Sequence, residues 1–147
     1  MNAFMHVIRH MLAGASALTP ENQIVLATER RQFLKRRWRG VAGDGTEFGF
    51  DLEGRLTDGC VIHRENGNDY IVRQLPEVVY EIAFTSIDQA ALVGWKAGNL
   101  HMPAQILPDR IRILHDEAMK QLLEREGWPY TEPEVVFTPM KAMAHAP

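Results

Sequence analysis

His101 follows Gly98 and Asn99 and precedes Pro103, which sets one imidazole at the mouth of a turn. Glycine and asparagine tolerate the left-handed conformation that closes a helix, so His101 is expected at a surface and not inside an element. The stretch from residue 76 onward carries 6 basic and 10 acidic side chains, against 10 and 9 in residues 1–75. An imidazole in the acidic part suits a cation better than a phosphate. A single imidazole cannot hold an ion against water, so further donors are needed. His115, beside Asp116 at an expected helix start, reads either as a metal ligand or as a capping or surface residue. His145 reads either as a ligand or as a solvated tail residue, while His6, His10 and His63 have no partner at ligand spacing and are assigned no role.

Other chemistries find little support. There is no nucleophile motif, no glycine-rich phosphate loop and no constellation converging on His101, which argues against an enzyme. The single cysteine, Cys60, excludes an internal disulfide and points to a reducing, cytoplasmic compartment. It sits in the apolar stretch Cys60-Val61-Ile62, where a small buried hydrophobe fits. A net charge of -3, from 16 Lys+Arg and 19 Asp+Glu, argues against a dedicated nucleic-acid or anionic-membrane binder. Met1 to Leu18 is apolar, but His6, Arg9 and His10 interrupt it before secretory length, and no segment approaches the roughly 20 apolar residues of a membrane span.

One basic run stands against that balance. Arg30, Arg31, Lys35, Arg36, Arg37 and Arg39 are interleaved with Phe33 and Trp38. Such a strand is either a solvent-facing edge whose charges discourage aggregation, or a nucleic-acid or protein-docking surface centred on Arg36 and Arg37.

The elements that must position these residues fall into two groups. Residues 1–75 read as all-β: strands at 4–9 and 23–28, a basic strand over 30–39 turning at Gly43-Asp44-Gly45 into 47–51, and a hairpin of 60–65 and 69–74 around Asn66-Gly67. Gln74-Leu75-Pro76 marks a boundary. Beyond it come a strand at 78–84, a helix capped by Thr85-Ser86, strands at 100–107 and 111–114, a helix from Asp116 to Gly127, and a strand at 134–137. Ile87, Ala90, Ala91, Val93, Gly94 and Trp95 are expected to form the buried stripe of the first helix. The class is therefore α+β: an all-β domain over 1–75, a ferredoxin-like βαββαβ domain over 76–138, and a short flexible tail over 139–147.

Gly94-Trp95, Gly98-Asn99-Leu100-His101 with Pro103, Leu107-Pro108 and His115-Asp116 together resemble the UreE family, the urease accessory nickel chaperones. The likeness extends over the basic run 30–39, Asp58-Gly59, Pro76-Glu77 and the run Glu134 to Pro139. It implies an N-terminal domain similar to peptide-binding modules and a C-terminal metal-binding domain that forms a homodimer. It further implies that His101 binds Ni²⁺ at the dimer axis, with Zn²⁺ and Cu²⁺ as competitors, and that tail histidines, here only His145, add to the site. A His-x-His pair of some members corresponds to His115 and Glu117, which implies a weaker peripheral site. The implied partners are the urease accessory GTPase and the complex of apo-urease with its accessory proteins. Two-fold symmetry presents every axial residue twice, so two copies of His101 could share one ion.

Overall fold

Alternating apolar and polar residues build two three-stranded sheets in the first part of the chain. The structure, a computed structural model, describes residues 5–140. The strands are β1 (Met5–Ile8), β2 (Gln23–Thr28), β3 (Arg37–Val41), β4 (Glu47–Asp51), β5 (Val61–Glu65) and β6 (Asn68–Gln74). One sheet has the order β1-β4-β3 and the other β2-β6-β5. In β3 and β4 the period of two turns Trp38, Phe48 and Phe50 inward, and Trp38 stacks on its cross-strand partner Phe50 with centroids 3.8 Å apart. β6 is the middle strand of its sheet, and Asp69, Tyr70, Ile71 and Val72 are all buried in it. Leu26, Ile62 and Val72 complete the core with the aromatic rings.

The basic run departs from expectation. Residues Arg30–Leu34 form a 3₁₀ helix, and the strand begins only at Arg37. Arg-Arg-Gln-Phe-Leu has no alternation to offer a sheet face, and local bonds close instead, from Gln32 N to Glu29 O at 3.0 Å and from Lys35 N to Gln32 O at 3.1 Å. A second 3₁₀ turn, Pro20–Asn22, begins with proline, whose fixed φ suits a first helical position.

A β-bulge interrupts β5. Val61 is paired with Ile71 and His63 with Tyr70, so Ile62 is one residue more than the partner strand supplies. Strict alternation would place Ile62 and His63 on opposite faces. The extra residue turns both toward the same core, where Ile62 packs and the His63 ring lies 5.5 Å from Tyr70 and 5.8 Å from Phe48.

Contacts separate the chain into two units, Met1–Leu75 and Pro76–Pro147. The second contains β7 (Glu77–Ala83), α1 (Ile87–Asn99), β8 (Ala104–Ile106), β9 (Arg110–Leu114), α2 (Glu117–Glu126) and β10 (Glu134–Val135). The antiparallel sheet has the order β10-β7-β9-β8, the expected βαββαβ arrangement. Both helix starts are chemically marked. Ser86 Oγ accepts from Gln89 N at 3.0 Å, and Asp116 Oδ1 accepts from Ala118 N at 2.8 Å. α2 ends at Gly127, whose φ of 69° only glycine adopts without strain. Val93, Ala97, Met119, Leu122 and Leu123 bury against Tyr80, Ile82, Ile111 and Ile113 of the sheet. Each large apolar side chain so buried contributes about 1.5–3 kcal/mol.

The apolar stripe expected for α1 is only partly buried. Val93 and Ala97 face the sheet, while Ile87 is 88% and Trp95 66% exposed. Trp95 lies about 200° around the helix from Val93, so the two cannot share a face. α1 is apolar on two sides and covers one of them.

Phe137 is fully buried, Thr138 N donates to Gln105 Oε1 at 3.1 Å, and Met140 N donates to Ala104 O at 2.8 Å. The start of the expected flexible tail is thus bonded beside β8, and residues 141–147 lie outside the described residues. Among the described residues no helix is long and apolar enough to cross a membrane.

Candidate metal centre

Helix α1 does not end where its glycine suggested. Gly98 and Asn99 are inside the helix, Leu100 caps it, and His101 itself adopts the left-handed conformation with φ 57°. Its N–H donates to Gly98 O at 3.0 Å and Met102 N donates to Ala97 O at 3.2 Å, so the reversal is closed by backbone bonds around the histidine. A left-handed residue other than glycine costs on the order of 1–2 kcal/mol, and histidine is one of the types that tolerates it. The imidazole is exposed, as expected. It stands at the end of α1, whose outer face carries Ile87, Ala91 and Trp95.

The other proposed donors are placed differently. His115 Nε2 is 2.8 Å from Glu132 Oε1, and its ring stacks on Tyr80 with centroids 4.4 Å apart. One ring nitrogen is therefore engaged, and Nδ1 is the atom left to a metal. His101 and His115 flank a backbone link, since Leu114 N donates to Pro103 O at 3.1 Å. His145 lies outside the described residues. Among the described residues, no group of three histidine, cysteine or carboxylate donors includes His101. Cys60 is fully buried, and burial pushes its thiol up, away from the thiolate a metal would need.

Arg36 and Arg37 share one carboxylate. Their Nε atoms lie 3.4 Å and 3.3 Å from Asp51 Oδ1, and Arg9 Nη1 lies 3.5 Å from Asp51 Oδ2. Three guanidinium groups around one carboxylate leave a positive patch. Of the aromatics of the basic run, Trp38 is buried on Phe50 and offers a base no stacking face, while Phe33 is half-buried against the core.

The cluster that the residue spacing did not reveal is in the first unit. His6 on β1, with His63 and Glu65 on β5, brings one donor atom from each residue to within 4.8 Å of the others. The rings of His6 and His63 lie 4.1 Å apart, and His63 Nε2 lies 3.8 Å from Glu65 Oε2. His6 and His63, expected to have no partner at ligand spacing, do have one: Glu65 stands two residues on from His63 in β5, and His6 comes from β1 in the other sheet. The legible signal was His63-x-Glu65, a pair two residues apart on an expected strand and so on one face. His10 is exposed and outside this cluster.

The family profile described as UreE urease accessory protein, C-terminal domain, matches residues 77–146. The urease accessory protein UreE of Chelativorans sp. (strain BNC1) is 35% identical over 117 residues, covering 77% of this chain and 70% of that protein. UreE of Brucella anthropi is 35% identical over 122 residues, covering 83% and 72%. UreE of Arthrobacter sp. (strain FB24) is 28% identical over 153 aligned positions, covering 97% and 94%. The likeness therefore runs through both units, and the chain belongs to the UreE family of urease accessory proteins, which are chaperones and not enzymes.

Proposed function

We propose that this protein acts in urease maturation by carrying Ni²⁺ to apo-urease, as a homodimer in which two copies of His101 share the ion. The observation that carries the reading is an exposed imidazole at the end of an uncovered apolar helix face. Ile87, Ala91 and Trp95 recur every fourth residue on the outer side of α1, and burying them against a second copy brings the two His101 side chains toward one axis. Among the described residues no group of three donors includes His101, and duplication supplies what a single chain lacks. Met140 is bonded to Ala104, three residues beyond His101. Five further residues reach at most about 17 Å, enough for His145 to add a nitrogen.

Few neutral nitrogen ligands at a surface suit a carrier, which must release its cargo, whereas a closed thiolate cage would retain it. The same donors accept Zn²⁺ and Cu²⁺, so selectivity rests on geometry and supply. The urease accessory GTPase and the apo-urease complex are the proposed partners, with Arg36 and Arg37 as a docking patch for an acidic surface. The cytoplasm is the proposed compartment. Equilibrium dialysis of wild type and His101→Ala tests the reading. Nickel shared between two chains should be lost in the variant, and full retention would refute the assignment.

A further inference from the structure

We propose that His6, His63 and Glu65 form a second metal site, in the β unit, for a single divalent first-row cation of the zinc class. Its position is independent of His101. Three observations converge on it.

The donors are of the right kind and nearly at the right spacing. Two imidazoles and a carboxylate are a familiar donor set for Zn²⁺ that leaves one position to water. Metal–ligand bonds of about 2.0–2.2 Å in a tetrahedron set donor atoms about 3.4 Å apart. The His63 to Glu65 separation is already 3.8 Å, and all three donors lie within 4.8 Å. Closing the remainder takes small rotations, and the Glu65 side chain, 49% exposed, is free to make one.

His63 Nε2 is buried and has no hydrogen-bond partner among the described residues. A buried polar atom in that condition is destabilising, and a cation would supply the missing interaction. The bulge at Ile62 is what directs the ring there, and bulges are often found where a side chain is re-aimed beside a site.

The surroundings hold the two imidazoles against aromatic rings. Phe48 flanks both imidazoles, at 5.5 Å from His6 and 5.8 Å from His63, and Tyr70 flanks His63, giving the site an apolar wall. The nearest basic side chain along the strand, Arg64, is directed to Asp69 at 3.0 Å and does not compete for Glu65. Because β1 and β5 belong to different sheets, a bound ion would cross-link the two sheets and stabilise the first unit by mass action.

The test uses the full chain carrying His101→Ala, His115→Ala and His145→Ala, which removes the donors proposed for nickel. Titration with Zn²⁺ alone should show one ion per chain, and Co²⁺ should give the visible absorption of a tetrahedral centre. His63→Gln and Glu65→Gln should each weaken zinc binding at least about tenfold, since losing a ligand costs no less than losing an outer-shell partner. Glu65 is exposed, so its substitution reports on the ligand without loss of fold. Absence of zinc binding in the triple variant, or binding unchanged by Glu65→Gln and His63→Gln, would overturn the proposal.

Discussion

The imidazoles of His6 and His63 meet from two sheets, with centroids 4.1 Å apart and their planes tilted by 36°. β1 delivers one and β5 the other, and the single extra residue in β5 decides that they meet. In the second unit His101 stands exposed at the end of a helix whose outer side carries Ile87 and Trp95. The described histidines are thus presented differently, His6 and His63 clustered in the first unit and His101 exposed in the second.

That outer side of α1 gives the first prediction. Trp95→Glu should convert the protein to a monomer by sedimentation and weaken nickel binding. Because Trp95 is 66% exposed, stability of the monomeric fold should stay within about 0.5 kcal/mol. A dimer of undiminished strength would exclude α1 as the interface.

His101 has a backbone role and a side-chain role that can be separated. His101→Gly keeps the left-handed turn, so stability should remain within about 1 kcal/mol of wild type while nickel is lost. His101→Val forces a β-branched residue into the same conformation and should cost about 1–2 kcal/mol. Denaturant titration of both variants, alongside dialysis, distinguishes the turn from the ligand.

Tyr70 and Asp44 should make the first unit sensitive to pH at both extremes. The Tyr70 hydroxyl donates to Asp44 Oδ2 at 2.6 Å, which holds the carboxyl below the usual carboxylate range and pushes the phenol up. The depressed Asp44 contributes stability that is present above about pH 4 and lost as pH falls through its folded value. The raised Tyr70 contributes stability that is present below about pH 10 and lost as pH rises through its folded value. Tyr70→Phe should cost about 1 kcal/mol at neutral pH and flatten both limbs of the stability profile. Chemical denaturation across the pH range provides the check.

Glu81 holds two arginines on the sheet of the second unit. Its carboxylate oxygens lie 2.8 Å from Arg110 Nη1 and 2.9 Å from Arg112 Nε, and its side chain is only 14% exposed. Glu81→Ala takes the carboxylate away from Arg112, while Arg110 keeps Asp109 at 2.8 Å. Since both reach solvent, the expected cost is about 2 kcal/mol, below that of a fully buried pair. Melting of the second unit should fall by several degrees, and an unchanged midpoint would refute this account.

The order of elements was readable from the chain because turns and caps are local. Asn66-Gly67, Ser86, Asp116 and Gly127 act through their own dihedrals and nearest backbone groups, and each does so here. The context around His101 was likewise readable, since glycine, asparagine and proline next to an imidazole are properties of a few adjacent residues. What sequence could not decide was which side of an element meets which neighbour. In α1, apolar residues on two faces look like one stripe until the sheet takes Val93 and Ala97 and leaves Ile87 and Trp95 outside. In β5, one inserted residue reverses the face on which His63 appears, and a phase change of that kind is invisible to a period of two. The sequence by itself therefore determined the two-part α+β plan and singled out His101. Only the tertiary structure joined His6 to the His63-x-Glu65 pair, because that proximity depends on how one sheet lies on the other and not on any spacing along the chain.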